Sequence, residues 1–214
     1  KDDYEVWKKD IQLWTAFTDV AADYHSDPIF QSPSSHYGQW LRTIMFDALD
    51  LSPGHTVVDV GCGSGVDCLW LLSQMNNEIN VIGSDIASGM IEIFDKQIKE
   101  RNLTNVAQAH CMDAVTFSQQ QHFPTYDRVL IKQIIHLLSP DERLLTFKGL
   151  HRQLNSTDNK LIIMGRQSKE IFPFDNRTKA TFLSMTPSFD VYVEELRMCG
   201  FTNIHTHEHS YTFD

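Results

Sequence analysis

The chain has 214 residues, 42% of them hydrophobic and 21% charged, and a formal net charge of −10. That size suits one globular domain with a full core, or one domain carrying a helical cap. The acidic balance argues against nucleic acid or an anionic membrane surface as the main partner, because both are polyanions, and no Lys/Arg-rich run offsets it.

Residues 3–24 carry Val6, Trp7, Ile11, Trp14, Phe17 and Val20 at helical spacing, which predicts an amphipathic helix. A Pro- and Ser-rich loop follows from Ser26 to Ser35, then a second helix over His36 to Leu49 and a turn at Pro53-Gly54. Residues 1–50 are thus expected to form a helical cap, and residues 51–214 the main domain. No stretch approaches the roughly 20 apolar residues of a membrane span, and Lys1-Asp2-Asp3-Tyr4 does not open a signal peptide.

From Thr56 the periodicity changes. Thr56-Val57-Val58-Asp59-Val60 is a β-branched, nearly continuous apolar run, as expected of a strand buried on both faces. It runs into Gly61-Cys62-Gly63-Ser64-Gly65 and a helix bearing Val66, Leu69, Trp70, Leu71 and Leu72. Further strands are predicted at 79–83, 105–110, 126–131, 160–165 and 203–213, with a helix over 90–101. Ser139-Pro140-Asp141-Glu142 spells a capped helix start, and Phe189 to Cys199 reads as a helix closed by Gly200. Such alternation implies an α/β fold, a doubly wound, mainly parallel sheet of six or seven strands with helices on both faces.

In sheets of this kind ligands bind beyond the carboxyl ends of the strands, where strand order reverses. The residues just after each strand are therefore the candidates. Gly61, Gly63 and Gly65 form a tight turn that a ligand can approach closely, before a helix N-terminus. Val66 stands where a dinucleotide fingerprint needs its third glycine, which opposes a nicotinamide-dependent oxidoreductase. Asp85 closes the second strand, where a carboxylate is placed to accept both hydroxyls of a ribose. Asp113, between Met112 and Ala114, closes the third, where it could accept an adenine amino group.

Together these segments resemble the class I S-adenosylmethionine (SAM)-dependent methyltransferases. Val57 to Gly65 is similar to their motif I, Gly83 to Met90 to the segment after it, Cys111 to Ala114 to the adenine-contacting segment, and Tyr126 to Lys132 to motif IV. The resemblance implies a Rossmann-like fold with SAM as cofactor and S-adenosylhomocysteine as product. It implies Asp59 oriented to the methionyl amino group, Gly61, Gly63 and Gly65 along the methionyl part, and Asp85 on the ribose. It further implies Ile86 and Met90 beside the adenine, Asp113 and Ala114 at its amino group, Lys132 at the cofactor, and Tyr24 as a lid. After the fourth strand stands Lys132-Gln133-Ile134-Ile135-His136, without the Pro-Pro turn of DNA amino-methyltransferases or the Mg²⁺-binding carboxylates of catechol-type enzymes. That resembles the branch acting on small molecules. His136 is the candidate general base, set against a reading as a packed, hydrogen-bonded histidine. Gly63 to Cys68 is locally similar to arsenic-methylating enzymes, whose full thiolate set does not match here.

His205, His207 and His209 would share one face of the last strand, but an exposed strand face is the simpler reading, and no metal is expected. Cys62, Cys68, Cys111 and Cys199 fit neither a CxxC pair nor a zinc set and read as reduced thiols of a cytoplasmic protein. The connection from Arg166 to Ser188, with Phe172, Phe174, Phe182 and Met185, is expected to fold over the acceptor pocket, with Trp40 and His36 as further lining candidates. The chain stops after the sixth strand, short of the seventh that the resemblance implies, which would leave a sheet edge for another chain to pair in a homodimer. A homologue that binds SAM without turnover is the second reading.

Overall fold

The computed structural model describes residues 36–123, 125–154, 156–165 and 187–210. In chain order the elements are α1 (His36–Leu49), β1 (Thr56–Val60), α2 (Val66–Gln74), β2 (Asn80–Asp85), α3 (Ser88–Glu100), β3 (Ala107–Cys111), α4 (Ala114–Ser118), β4 (Arg128–Lys132), a 3₁₀ turn (Ile135–Leu137), α5 (Pro140–Gln153), β5 (Lys160–Met164) and α6 (Phe189–Met198). The helix expected over residues 3–24, Tyr24, and the segment from 166 to 186 lie outside the described residues.

The strands form one five-stranded sheet in the order β3-β2-β1-β4-β5, parallel at every pairing. The expected alternation of strand and helix is therefore borne out, and its physical basis is visible residue by residue. Successive side chains of a strand point to opposite faces. Val57, Val81 and Leu130 enter one core, with Met45 and Leu49 of α1, Leu69 and Leu72 of α2, and Phe94 and Ile98 of α3. Val58, Val60, Ile82, Val129 and Ile131 enter the other, with Phe117 of α4, Phe147 and Leu150 of α5, and Tyr192 and Leu196 of α6. The sheet is thus wound on both faces, and the chain changes direction between β1 and β4, the two central strands.

The amino ends of these strands are fastened by polar groups. Arg128, 5% exposed, donates from Nε to the Leu49 carbonyl at 2.5 Å, from Nη2 to Asp50 at 3.0 Å and from Nη1 to Asp158 at 2.9 Å. Asp127 accepts from the Thr56 N–H at 2.7 Å. The helix start read at Ser139 is a full capping box: the Ser139 hydroxyl accepts from Glu142 N–H at 3.2 Å and the Glu142 carboxylate accepts from Ser139 N–H at 2.9 Å.

The sixth strand is not formed over residues 203–210, so the described sheet has five strands rather than six or seven. The alternating pattern there is polar on both sides: His205, His207 and His209 are exposed, as are the residues between them, and only Ile204 packs against a core. An extended segment with no apolar face gains nothing from joining a sheet. The three histidines are therefore no strand face, and the described residues contain no cluster of His, Cys, Asp or Glu able to hold a metal. The short helix α4 was not read from the sequence; Asp113 nucleates it as N-cap.

A buried ion pair joins α5 to α6. Arg143 grips Glu195 with two bonds, Nε to Oε2 at 2.7 Å and Nη2 to Oε1 at 2.6 Å, and its guanidinium lies 5.4 Å from the Tyr192 ring centroid. Removing one partner would leave the other charged and buried. Glu195→Ala is expected to lower unfolding stability by about 3 kcal/mol, whereas Arg143→Met with Glu195→Leu recovers most of it. Urea denaturation followed by circular dichroism checks both.

Candidate active site

The carboxyl ends of β1, β2 and β4 meet where the strand order reverses, and the site is built there. β1 delivers Asp59 and then the glycine loop. The loop is pinned to β2 by the Gly61 and Cys62 N–H groups, which donate to the Ser84 carbonyl at 2.7 and 2.9 Å. Asp85, at the end of β2, completes the attachment: Oδ2 accepts from Gly63 N–H at 2.9 Å and Oδ1 from Ala87 N–H at 2.9 Å. Each oxygen keeps a second lone pair for a ligand hydroxyl. Burial raises the Asp85 pKa above the usual carboxylate range, against the pull of the Ala87 and Gly63 N–H bonds.

The glycines play different parts. At Gly65, φ is +74°, and a Cβ would sit 2.1 Å from the Phe94 ring. The loop must therefore lie flat on a core aromatic. At Gly63, φ is +55° and nothing lies within 4 Å of where a Cβ would be. The tip of the loop thus faces open space while its N–H is fixed by Asp85. At Gly61 the neighbour is Ile134, 2.6 Å from a Cβ, so the segment after β4 closes directly onto the loop.

Asp59 is 3% exposed. Its Oδ2 has only the weak Cys68 thiol donor at 3.6 Å, and its Oδ1 has no hydrogen-bond partner. A buried carboxylate so poorly satisfied is costly, and burial pushes its pKa up to about 6, opposed by the charge of Lys132. Lys132, at the end of β4, is pushed down to about 8, also by burial, against the attraction of Asp59. Its Nζ is paired with Asp67 Oδ2, and Asp67 Oδ1 accepts from Arg42 Nε at 2.9 Å. Asp67 lies in the first turn of α2 and Arg42 on α1. Neither was singled out from the sequence. An acid in a first helical turn reads as a dipole partner, and its cations lie 25 and 65 positions away.

The adenine-side candidates lie along β2 and β3. Ile86 is 42% exposed beside Asp85, while Met90 is buried against Ala87. Met112 N–H donates to the Asp85 carbonyl at 3.0 Å, which carries the next residue, Asp113, toward the same rim. Asp113 caps α4, accepting from Thr116 N–H at 2.8 Å and Thr116 Oγ1 at 2.6 Å, with Ala114 buried behind it. His136 sits half-buried on the 3₁₀ turn that follows β4. Tyr24 lies outside the described residues.

Residues 57–157, which hold the glycine loop and all of β1 to β4 except Thr56, match the model of a methyltransferase domain family. The chain carries a methyltransferase domain over that segment. It is 28% identical to the demethylmenaquinone methyltransferase of Lactobacillus johnsonii, over 88% of this chain and 84% of that one. It is 27% identical to methyltransferase GfsG of Streptomyces halstedii, over 61% of this chain and 46% of GfsG, so it spans less than half of that relative. Among solved structures, the [4+2]-cyclase SpnF shares the fold with a TM-score of 0.57 at 20% identity, over 76% of this chain and 57% of SpnF. The StiE O-MT matches with a TM-score of 0.51 at 26% identity, over 64% of this chain and 48% of StiE O-MT.

The two loop glycines separate under mutation. Gly65→Ala drives a methyl into the Phe94 ring and is expected to cost about 3 kcal/mol of stability. Gly63→Ala meets no protein atom and should cost only about 1 kcal/mol, yet its methyl fills the open space and weakens S-adenosylhomocysteine binding. Thermal melts and calorimetric titration of both variants give the comparison.

Proposed function

We propose that this methyltransferase domain binds SAM at the rim formed by β1, β2 and β4 and transfers its methyl group to a small-molecule acceptor. One observation carries the reading: a buried carboxylate oxygen, Asp59 Oδ1, stands unpartnered near the end of the strand that leads into the glycine loop, whose tip at Gly63 faces open space. The donor set fits the cofactor. Asp59 offers an acceptor for an ammonium group, Gly63 leaves room for an aliphatic chain, Asp85 has free lone pairs for ribose hydroxyls, and Ile86 presents an apolar ledge for a purine. Met90 supports that ledge from beneath, Asp113 and Ala114 border its far end, and Tyr24 is assigned to the covering side.

When bound, SAM supplies an electrophilic methyl on a sulfonium with a neutral thioether as leaving group. The protein's task is then alignment and exclusion of water. The glycine loop, held at Ser84 and Asp85, fixes one end of the ligand, and Ile134 closes against Gly61 on the acceptor side. His136, one turn beyond β4, is positioned to take a proton where the acceptor must lose one. The reduced thiols Cys62, Cys68, Cys111 and Cys199 favour a cytoplasmic setting. Among the described residues no helix is long and apolar enough to cross a membrane. A homodimer belongs to the same reading.

Binding without methyl transfer is the second reading, and the fold shared with a [4+2]-cyclase is what favours it. Release of S-adenosylhomocysteine from SAM with a panel of metabolite acceptors supports transfer; tight binding with no release across the panel supports the second reading. Asp85→Ala is expected to weaken S-adenosylhomocysteine by about 2 kcal/mol in calorimetry, as for a lost charge-assisted bond.

Proton linkage gives a further check. An ammonium ligand requires ionised Asp59, and burial sets that group at about 6 in the ligand-free protein. Affinity for S-adenosylhomocysteine should hold above that pH and fall as pH drops through it, by up to about tenfold per unit. Asp85, also raised by burial, contributes in the same direction. In Asp59→Asn the Asp59 part of that acid limb disappears, and titration across pH 5 to 8 measures it.

A further inference from the structure

Lys132 is the cation nearest in character to what Asp59 lacks, yet the two are not hydrogen-bonded. Asp59 Oδ1 remains unpartnered, and Lys132 Nζ is paired instead with Asp67 Oδ2. Asp67 is itself fixed, because its other oxygen accepts from Arg42 Nε at 2.9 Å and the side chains of both residues are under a tenth exposed. Four ionisable groups from four elements thus meet beneath the glycine loop: Arg42 of α1, Asp59 of β1, Asp67 of α2 and Lys132 of β4. Asp85 of β2 and the Cys62 and Cys68 thiols complete the surroundings of Asp59.

We infer that Asp67 is a positioning residue that withholds Lys132 from Asp59 and so keeps one Asp59 oxygen open for the cofactor's ammonium group. The inference rests on the SAM reading of the rim. Its physical basis is competition between two acceptors for one mobile cation. A lysine ammonium on a four-carbon stem is a compact charge that pairs with whichever carboxylate is nearer and better desolvated. Asp67, anchored by Arg42, holds that charge from the side of α2. Without the Asp67 charge, Asp59 is the carboxylate among the described residues that still attracts Lys132, and a ligand ammonium would have to displace that lysine. The arrangement also explains how a buried, poorly hydrogen-bonded carboxylate is tolerated. Lys132 remains near enough for its charge to favour ionised Asp59 without occupying the oxygen that the ligand needs.

The test uses the full chain and two ligands that differ in one feature. S-adenosylhomocysteine carries the amino-acid end; 5′-methylthioadenosine has the same adenosyl thioether without it. In calorimetry Asp67→Asn is expected to weaken S-adenosylhomocysteine about tenfold and leave 5′-methylthioadenosine unchanged. Adding Lys132→Gln should restore S-adenosylhomocysteine to within about threefold of wild type, since the competing cation is gone. Equal losses for the two ligands, or no recovery in the double variant, would overturn the inference and leave Asp67 a structural residue. Should Asp67→Asn fail to melt cooperatively, the double variant carries the test alone, because it removes opposite charges together; a tenfold loss there overturns the inference. If the wild-type protein bound neither ligand, the SAM reading itself would fail first, a result distinct from all of these.

Discussion

A parallel sheet covered on both faces has only its strand ends left for polar chemistry, and that constraint organises this molecule. Val57 and Val58, Val81 and Ile82, and Val129 and Leu130 commit alternate side chains to two separate cores. At the amino ends Asp127 and Arg128 spend their polar atoms on neighbouring backbone, satisfying donors and carbonyls that would otherwise be orphaned. At the carboxyl ends the balance is different. Asp85 is bonded by backbone yet retains lone pairs, and Asp59 is left short of partners. Asp59 and Asp85 thus leave bonding capacity unmet at the carboxyl ends of β1 and β2.

The two buried charge clusters show the same contrast. Arg143 and Glu195 form a closed bidentate pair with matched geometry. Nothing in that pair is available to a third group, and its effect is to hold α5 against α6. The cluster of Arg42, Asp67, Lys132 and Asp59 is open. Asp67 serves two cations while Asp59 serves none fully. Desolvation without full pairing pushes Asp59 and Lys132 toward neutrality, to about 6 and about 8. Perturbation of this kind clusters at functional sites.

Much of this was legible in the sequence because it depends on local pattern. A continuous β-branched run marked β1, and Ser139 with Glu142 marked the start of α5. The glycine loop and Asp85 were placed correctly at strand ends, since strand-to-helix turns need those residue types. The sixth strand failed for a stated reason: alternation between Thr and His imitates a strand's period without supplying an apolar face. Helix α4 escaped because five residues carry too little periodicity, although its cap, Asp113, had been noticed for another role. Arg42 and Asp67 escaped for a deeper reason. Their significance lies in a contact with Lys132 that joins three distant stretches of chain, and no window of sequence contains it.

The glycine loop is held in place independently of whatever lies in front of it. Its geometry is determined from behind, by Phe94 under Gly65 and by Ser84 and Asp85 on the β2 side, all within the matched domain. On the opposite side Ile134, from the segment after β4, packs against Gly61. On the proposed reading, cofactor geometry and acceptor choice rest on different residues. Changing the second need not disturb the first, which is consistent with relatives as different as a menaquinone-precursor methyltransferase and GfsG sharing this framework at under 30% identity.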